Sequence, residues 1–162
     1  ADAEFDDEAA DFNFKIILVG THRLVKHLLP LDMLMMILMR STTIQKSLIN
    51  HKFFEIPGTV PKKVADLHIW DTLGQEKFHA IADIFFKGTV GGLLIFDLTK
   101  RASFDSLDKW REKIENSCDA TVVVCLVGNK CDLPNRETTY DEGASYAKEH
   151  GLSYMEISAK TG

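Results

Sequence analysis

Apolar and polar positions divide this chain into alternating blocks. Phe14 to Gly20 (FKIILVG) is a mostly apolar run that stops at a glycine, the pattern of a strand buried on both faces. Val64 to Trp70 alternates instead, and it follows Pro57-Gly58 and Pro61, so it reads as the second arm of a hairpin. Gly91 to Asp97 and Thr121 to Gly128 are two further apolar strands, and Leu152 to Ile157 is a last short one. Between them, Ser103 to Ile114 has helical periodicity with charged outer positions. Thr139 to His150 does the same, with Gly151 placed to end it. Apolar strands alternating with amphipathic helices predict an α/β fold, a mainly parallel six-stranded sheet with helices on both faces. In such a sheet ligands bind beyond the carboxyl ends of the strands.

Composition narrows the class. At 162 residues, 45% hydrophobic and 27% charged, the chain can bury the core of one domain. A net charge of -5 argues against a nucleic-acid groove or a polybasic membrane face. The acid gathers at the start, in Asp2, Glu4, Asp6, Asp7, Glu8 and Asp11. Residues 1–13 therefore read as an acidic flexible tail and 14–162 as the folded domain. Cys118, Cys125 and Cys131 fit no metal spacing, and their odd number suggests a reduced, cytoplasmic setting. The first residues are acidic, unlike a cleavable signal. The longest apolar run, Leu28 to Met39, is interrupted by Pro30 and Asp32 and is too short to span a bilayer.

Three segments follow strands and carry chemistry. In Trp70-Asp71-Thr72-Leu73-Gly74-Gln75-Glu76, an aspartate can hold magnesium through water. A glycine there lets its amide approach a terminal phosphate, and a glutamine can orient an attacking water. In Gly128-Asn129-Lys130-Cys131-Asp132, a carboxylate can accept two bonds from the edge of guanine while a lysine stem covers the ring. Ser158-Ala159-Lys160 closes the last strand, where a backbone amide can meet the base carbonyl. Each segment alone is most simply a turn. Their order and intervals together are specific.

With these residues in place the chain resembles the small GTPases of the Ras superfamily, P-loop NTPase-type G domains, and most closely their Rab branch, of an early-endosomal type. "WDTLGQEKFHAI", "LLIFDLTKRASFDSL", "LVGNKCDL" and "EISAKTG" carry the likeness, and "STTIQ" is similar to the first switch of that subgroup. The resemblance implies a GTP/GDP-binding switch that hydrolyses GTP in vesicle traffic. Asp71 would sit in the second metal shell, Gly74 would sense the terminal phosphate and Gln75 would position water. Thr43 would close over magnesium and phosphate, and Gly20 and Lys26 would belong to the phosphate loop. Asn129, Lys130 and Asp132 would read guanine, helped by Ser158, Ala159 and Lys160. Ile44, Trp70 and Phe78 would face partners, with Leu48 where the family usually has phenylalanine and Leu73 where it has alanine. Exchange factors, GTPase-activating proteins and effectors are implied as partners, and nucleic acid is not. Attachment to endosomal or other vesicle membranes is implied through a lipidated tail that, like the family's final helix, has no counterpart before Gly162. An ATPase is disfavoured by Asp132 after Asn129-Lys130.

The phosphate loop departs from this pattern. Such a loop is written G-x-x-x-x-G-K-[ST], and its amides cradle the phosphates. Gly20 and Lys26 keep the spacing, but Val25 stands for the second glycine and His27 for the hydroxyl that ligates magnesium. A β-branched residue is a fault where φ must be positive, and an imidazole suits a hard cation poorly. Pro30 and the almost unbroken apolar run M-L-M-M-I-L-M are equally unlike a surface helix. Two readings stand. In one, the chain is a degenerate GTPase-fold interaction protein that cannot hold nucleotide tightly and offers Trp70, Phe78 and its Met-rich segment to partners. The other rests on the genetic code. Read two bases further in, codons allowed for Gly20 through Leu38 admit D-A-S-V-G-K-T-S-L-T-L-R-Y-V-N-D-D-F after Gly20, an intact loop and a normal helix start. Residues 21–40 then represent a frame-shifted stretch, and family-like sequence resumes at Ser41. The frame-shift reading is favoured, because one displacement restores the loop and the helix together. Tandem mass spectrometry of the tryptic digest separates the two. The frame-shift reading expects peptides matching G-D-x-S-V-G-K-T-S-L, whereas recovery of His27–Arg40 as written makes the broken loop real.

Overall fold

The computed structural model describes residues 10–20, 49–71, 85–158 and 160–161. They form a six-stranded sheet in the order β2-β3-β1-β4-β5-β6. The strands are β1 (Phe12–Gly20), β2 (Ile49–Ile56), β3 (Lys63–Asp71), β4 (Gly91–Asp97), β5 (Val123–Asn129) and β6 (Ser153–Ile157). β2 and β3 pair antiparallel as the expected hairpin, and every other neighbouring pair is parallel. Three described helices join the later strands: α1 (Arg101–Asp105), α2 (Leu107–Ser117) and α3 (Tyr140–Glu149). The expected α/β sheet is therefore present.

Alternation along the strands sorts the core into two layers. Ile17, Val19, Leu94, Phe96 and Leu126 face one side, where they pack with Phe86, Leu107, Ile114 and Ala147. Leu18, Leu67, Ile69, Leu93, Ile95, Val127 and Ile157 form the opposite layer. The described helices belong to the first layer. The expectation of helices on both faces falls, for the second layer, outside the described residues.

Several element boundaries differ from the apolar pattern. β1 begins at Phe12, so the expected tail over 1–13 yields its last residues to the sheet. The Asp11 amide donates to the Val64 carbonyl at 2.8 Å and its carboxylate accepts from the Val64 amide at 2.8 Å, which extends the pairing. Phe12 also stacks on Phe14, and Lys63 lies over its ring. β5 starts at Val123, two positions into its apolar run. The helix expected over 103–114 is two helices meeting at Ser106 (φ -88, ψ 0). There the Ser103 and Ser106 hydroxyls donate to the backbone carbonyls of Lys100 and Ser103, the local competition by which serine interrupts helices.

α3 has the sharpest boundaries. Thr139 and Glu142 form a reciprocal capping box at its start. Gly151 follows its last turn at φ +66, a conformation glycine adopts without steric cost. Arg101 of α1 pairs with Glu142, tying the two helical segments together.

Candidate functional site

Strand register assembles the site before any side chain is considered. Parallel pairing sets Leu18 beside Asp71, Gly20 beside Ile95, Asp97 beside Asn129 and Asn129 beside Ile157. The ends of β1, β3, β4, β5 and β6 thus converge on one edge. Of the residues expected from sequence, the structure brings Gly20, Asp71, Asn129, Lys130, Asp132, Ser158 and Lys160 to that edge. Lys26, Thr43, Ile44, Gly74, Gln75, Phe78 and Ala159 lie outside the described residues, as do Val25 and His27.

The loop after β5 is fixed at every turn. Asn129 is buried, and its side-chain oxygen accepts from the Lys130 amide at 2.7 Å. Lys130 takes φ +69, and its carbonyl accepts from the Leu133 amide, closing a turn. The Cys131 amide donates to the Ile157 carbonyl at 3.0 Å, which fastens the loop to β6. Ser158 is buried, and its hydroxyl donates to Asp132 Oδ1 at 2.6 Å. The same oxygen accepts from the backbone amides of Lys160 and Thr161, each at 3.2 Å. One hydroxyl therefore joins the last segment to the exposed Asp132 carboxylate and limits how that carboxylate can turn.

Lys130 reaches the other way. Its Nζ lies 2.8 Å from Oδ2 of Asp97, a fully buried carboxylate at the end of β4. Asp97 Oδ1 accepts from the Thr99 amide at 2.9 Å and from the Thr99 hydroxyl at 2.6 Å. Burial pushes the Asp97 carboxyl up, but bonds from Lys130 and Thr99 together outweigh it and hold it below its ordinary value. Sequence reasoning gave Asp97 no role. Its signal was an aspartate directly after an apolar strand, two positions before a threonine.

A second brace was also missed. The Arg136 guanidinium grips Glu156 of β6 with two bonds, at 2.7 and 2.6 Å, and the Tyr154 hydroxyl donates to the same carboxylate at 2.7 Å. The amides of Glu137 and Thr138 then donate to the Leu98 carbonyl, so the segment leaving the loop is clamped to both β4 and β6. The Arg136 bonds hold the Glu156 carboxyl below its ordinary value despite partial burial.

On the neighbouring strand, Trp70 is half-buried. Its ring meets Phe85 edge-on at 5.5 Å, and Lys15 Nζ sits 4.2 Å from the ring centroid while donating to the Lys87 carbonyl. Asp71 follows at the strand end and is half-buried.

This edge offers a carboxylate for two adjacent donors, an apolar lysine stem beside it, and backbone amides close by. Such a set fits the edge and face of guanine. Comparison with known proteins identifies the family. The sequence model of the Ras family matches residues 15–162. Ras-related protein RABA1b of Arabidopsis thaliana is 36% identical over 151 residues, which cover 92% of this chain and 68% of the relative. Ras-related protein Rab11A of Lotus japonicus is 33% identical over 159 residues, covering 92% of this chain and 65% of the relative. The chain belongs to the Ras family of small GTPases. Within it, the chain stands in the Rab branch, and it spans about two-thirds of the length of these relatives.

The Glu156 brace generates a pH prediction. A carboxylate held below its ordinary 4.5 stabilises the fold above that value, and the benefit is lost as pH falls through the depressed value. Glu156→Gln should cost about 2 kcal/mol in urea unfolding near neutral pH. The gap from the parent protein should narrow as pH falls below the ordinary carboxylate range. A gap that stays constant with pH would show that the charge of Glu156 contributes nothing.

Proposed function

We propose that this chain is the nucleotide-binding domain of a Rab-type switch, active with GTP, inactive with GDP, and returned to the inactive form by slow hydrolysis. The observation that carries the reading is Asp132, held by Ser158 beside Lys130 at the carboxyl edge of a parallel sheet. Asp132 would accept from the ring N–H and the amino group of guanine. The Lys130 stem would cover the base, and buried Asn129 would hold the loop against the phosphate-bearing side. Lys160, with Ala159, would bring amides to the base carbonyl.

At the phosphate end, Gly20 and Lys26 would position the phosphates and Gln75 would orient water for attack on the terminal one. Gly74 would sense that phosphate. Thr43 and Asp71 are the residues that would hold magnesium, Asp71 through water. The bound ion neutralises charge on the phosphates. Ordering of the segments around Thr43 and Gly74 would carry the state to effectors through Ile44, Trp70 and Phe78. Exchange factors and GTPase-activating proteins would set the rates, and a lipidated tail would place the protein on endosomal or other vesicle membranes. Among the described residues no helix is long and apolar enough to cross a membrane. The competing reading, an interaction protein that has lost nucleotide binding, is favoured by Val25 and His27 in the loop and by Pro30 and the Met-rich run that follow.

Asp132→Asn tests the base assignment. Xanthine presents a carbonyl where guanine has its amino group, so an amide at position 132 should exchange one preference for the other. The parent protein should favour GDP over XDP by about 100-fold or more, and the variant should reverse this. A folded variant that binds neither nucleotide, or a parent that binds GDP and ADP alike, would sink the proposal.

A further inference from the structure

We infer that Asp97 is a positioning residue for guanine recognition: it anchors the far end of the Lys130 side chain so that the lysine stem forms a fixed apolar bar for the base. This rests on the reading of the site as a guanine-nucleotide site and adds to it a residue on a different strand.

Burying a charge is costly. Asp97 is fully buried at the end of β4, where a carboxylate is tolerated only when paired and hydrogen-bonded. Its two oxygens have different partners. Oδ1 takes both bonds from Thr99, an arrangement that closes the turn after the strand. An asparagine would accept those bonds equally well, so the turn does not require a charge. Oδ2 faces the Lys130 ammonium at 2.8 Å, and that contact does require one.

Lys130 is thereby held at both ends. At its base, the backbone sits at φ +69 with its amide bonded to the Asn129 side chain. At its tip, the ammonium is fixed to the end of the adjoining strand. The four-carbon stem between these anchors has little rotational freedom left to lose when a flat ring settles on it. The Asp132 carboxylate has its own partner, the Ser158 hydroxyl at 2.6 Å. Lys130 remains partly exposed, so loss of Asp97 can release its side chain to water without stranding a buried cation.

Asp97→Asn, Lys130→Met and the double variant of the full chain, read in two ways, test this. The first readout needs no nucleotide: the rate at which an amine-reactive reagent modifies Lys130, followed by mass spectrometry. Asp97→Asn should raise that rate about fivefold or more, since the ammonium loses its fixed partner. The second is the dissociation rate of a fluorescent GDP. Asp97→Asn should speed release about tenfold while thermal unfolding shows the fold retained. In the Lys130→Met background the further change Asp97→Asn should add almost nothing, as expected when one residue acts through the other. A purely structural role would give additive effects, and that result overturns the inference. So does a parent protein that binds GDP while Asp97→Asn releases it at the parental rate. Failure of the parent to bind GDP, with Lys130 still protected by Asp97, overturns the switch reading and the positioning role with it, while the ion pair itself stands.

Discussion

Parallel pairing is the constraint on which the rest of this structure depends. It makes β1, β3, β4, β5 and β6 finish at the same edge, in a register that places Asp71, Gly20, Asp97, Asn129 and Ile157 near neighbouring strand ends. Residues far apart in sequence meet there because the strands between them are buried on both faces and cannot slip. A one-residue slip would exchange the two core layers, sending Leu94 and Leu126 to the side now held by Leu93 and Val127.

On that frame, a few polar contacts fix the loops at the strand ends. They divide into two sets. Ser158, Cys131 and the backbone of Ile157 bind the β5 loop to β6 and orient Asp132. Asp97, itself held by Thr99, pairs with Lys130, and the Leu98 carbonyl accepts from Glu137 and Thr138, so the same loop is tied to the end of β4. The Arg136–Glu156 pair then holds the exit of the loop. A flat ligand can meet such a surface without ordering it first, and this reduces the entropic cost of binding.

The sheet was legible because β1, β4 and β5 carry long apolar runs that end abruptly in glycine, aspartate or asparagine, and because β3 alternates after a proline- and glycine-marked turn. The residues proposed to read the base were expected from a similar pattern, as polar letters directly after apolar runs. Other features were hidden by distance or by local competition. Arg136 and Glu156 are twenty positions apart with a helix between them, so only the fold shows that they meet. Ser106 interrupts a continuous helical period through hydroxyl bonds that periodicity does not register. Asp11–Asn13 look like the end of an acidic tail, yet backbone pairing to β3 makes the last two part of a strand. Asp97 stood inside a family-like segment, but nothing in one dimension links it to Lys130, thirty-three positions later. The phosphate-side residues were read only through motif spacing, and it is there that the written sequence and the family pattern disagree.

That disagreement decides the most direct test. The purified chain, kept throughout in magnesium-containing buffer, is denatured, and the released small molecules are separated and identified by chromatography. The account predicts GDP or GTP in a ratio approaching one per protein, falling sharply when magnesium is chelated during purification. A folded protein that releases no guanine nucleotide and takes up none when GDP is added would contradict it, and would leave a Rab-branch fold that serves as an interaction surface alone.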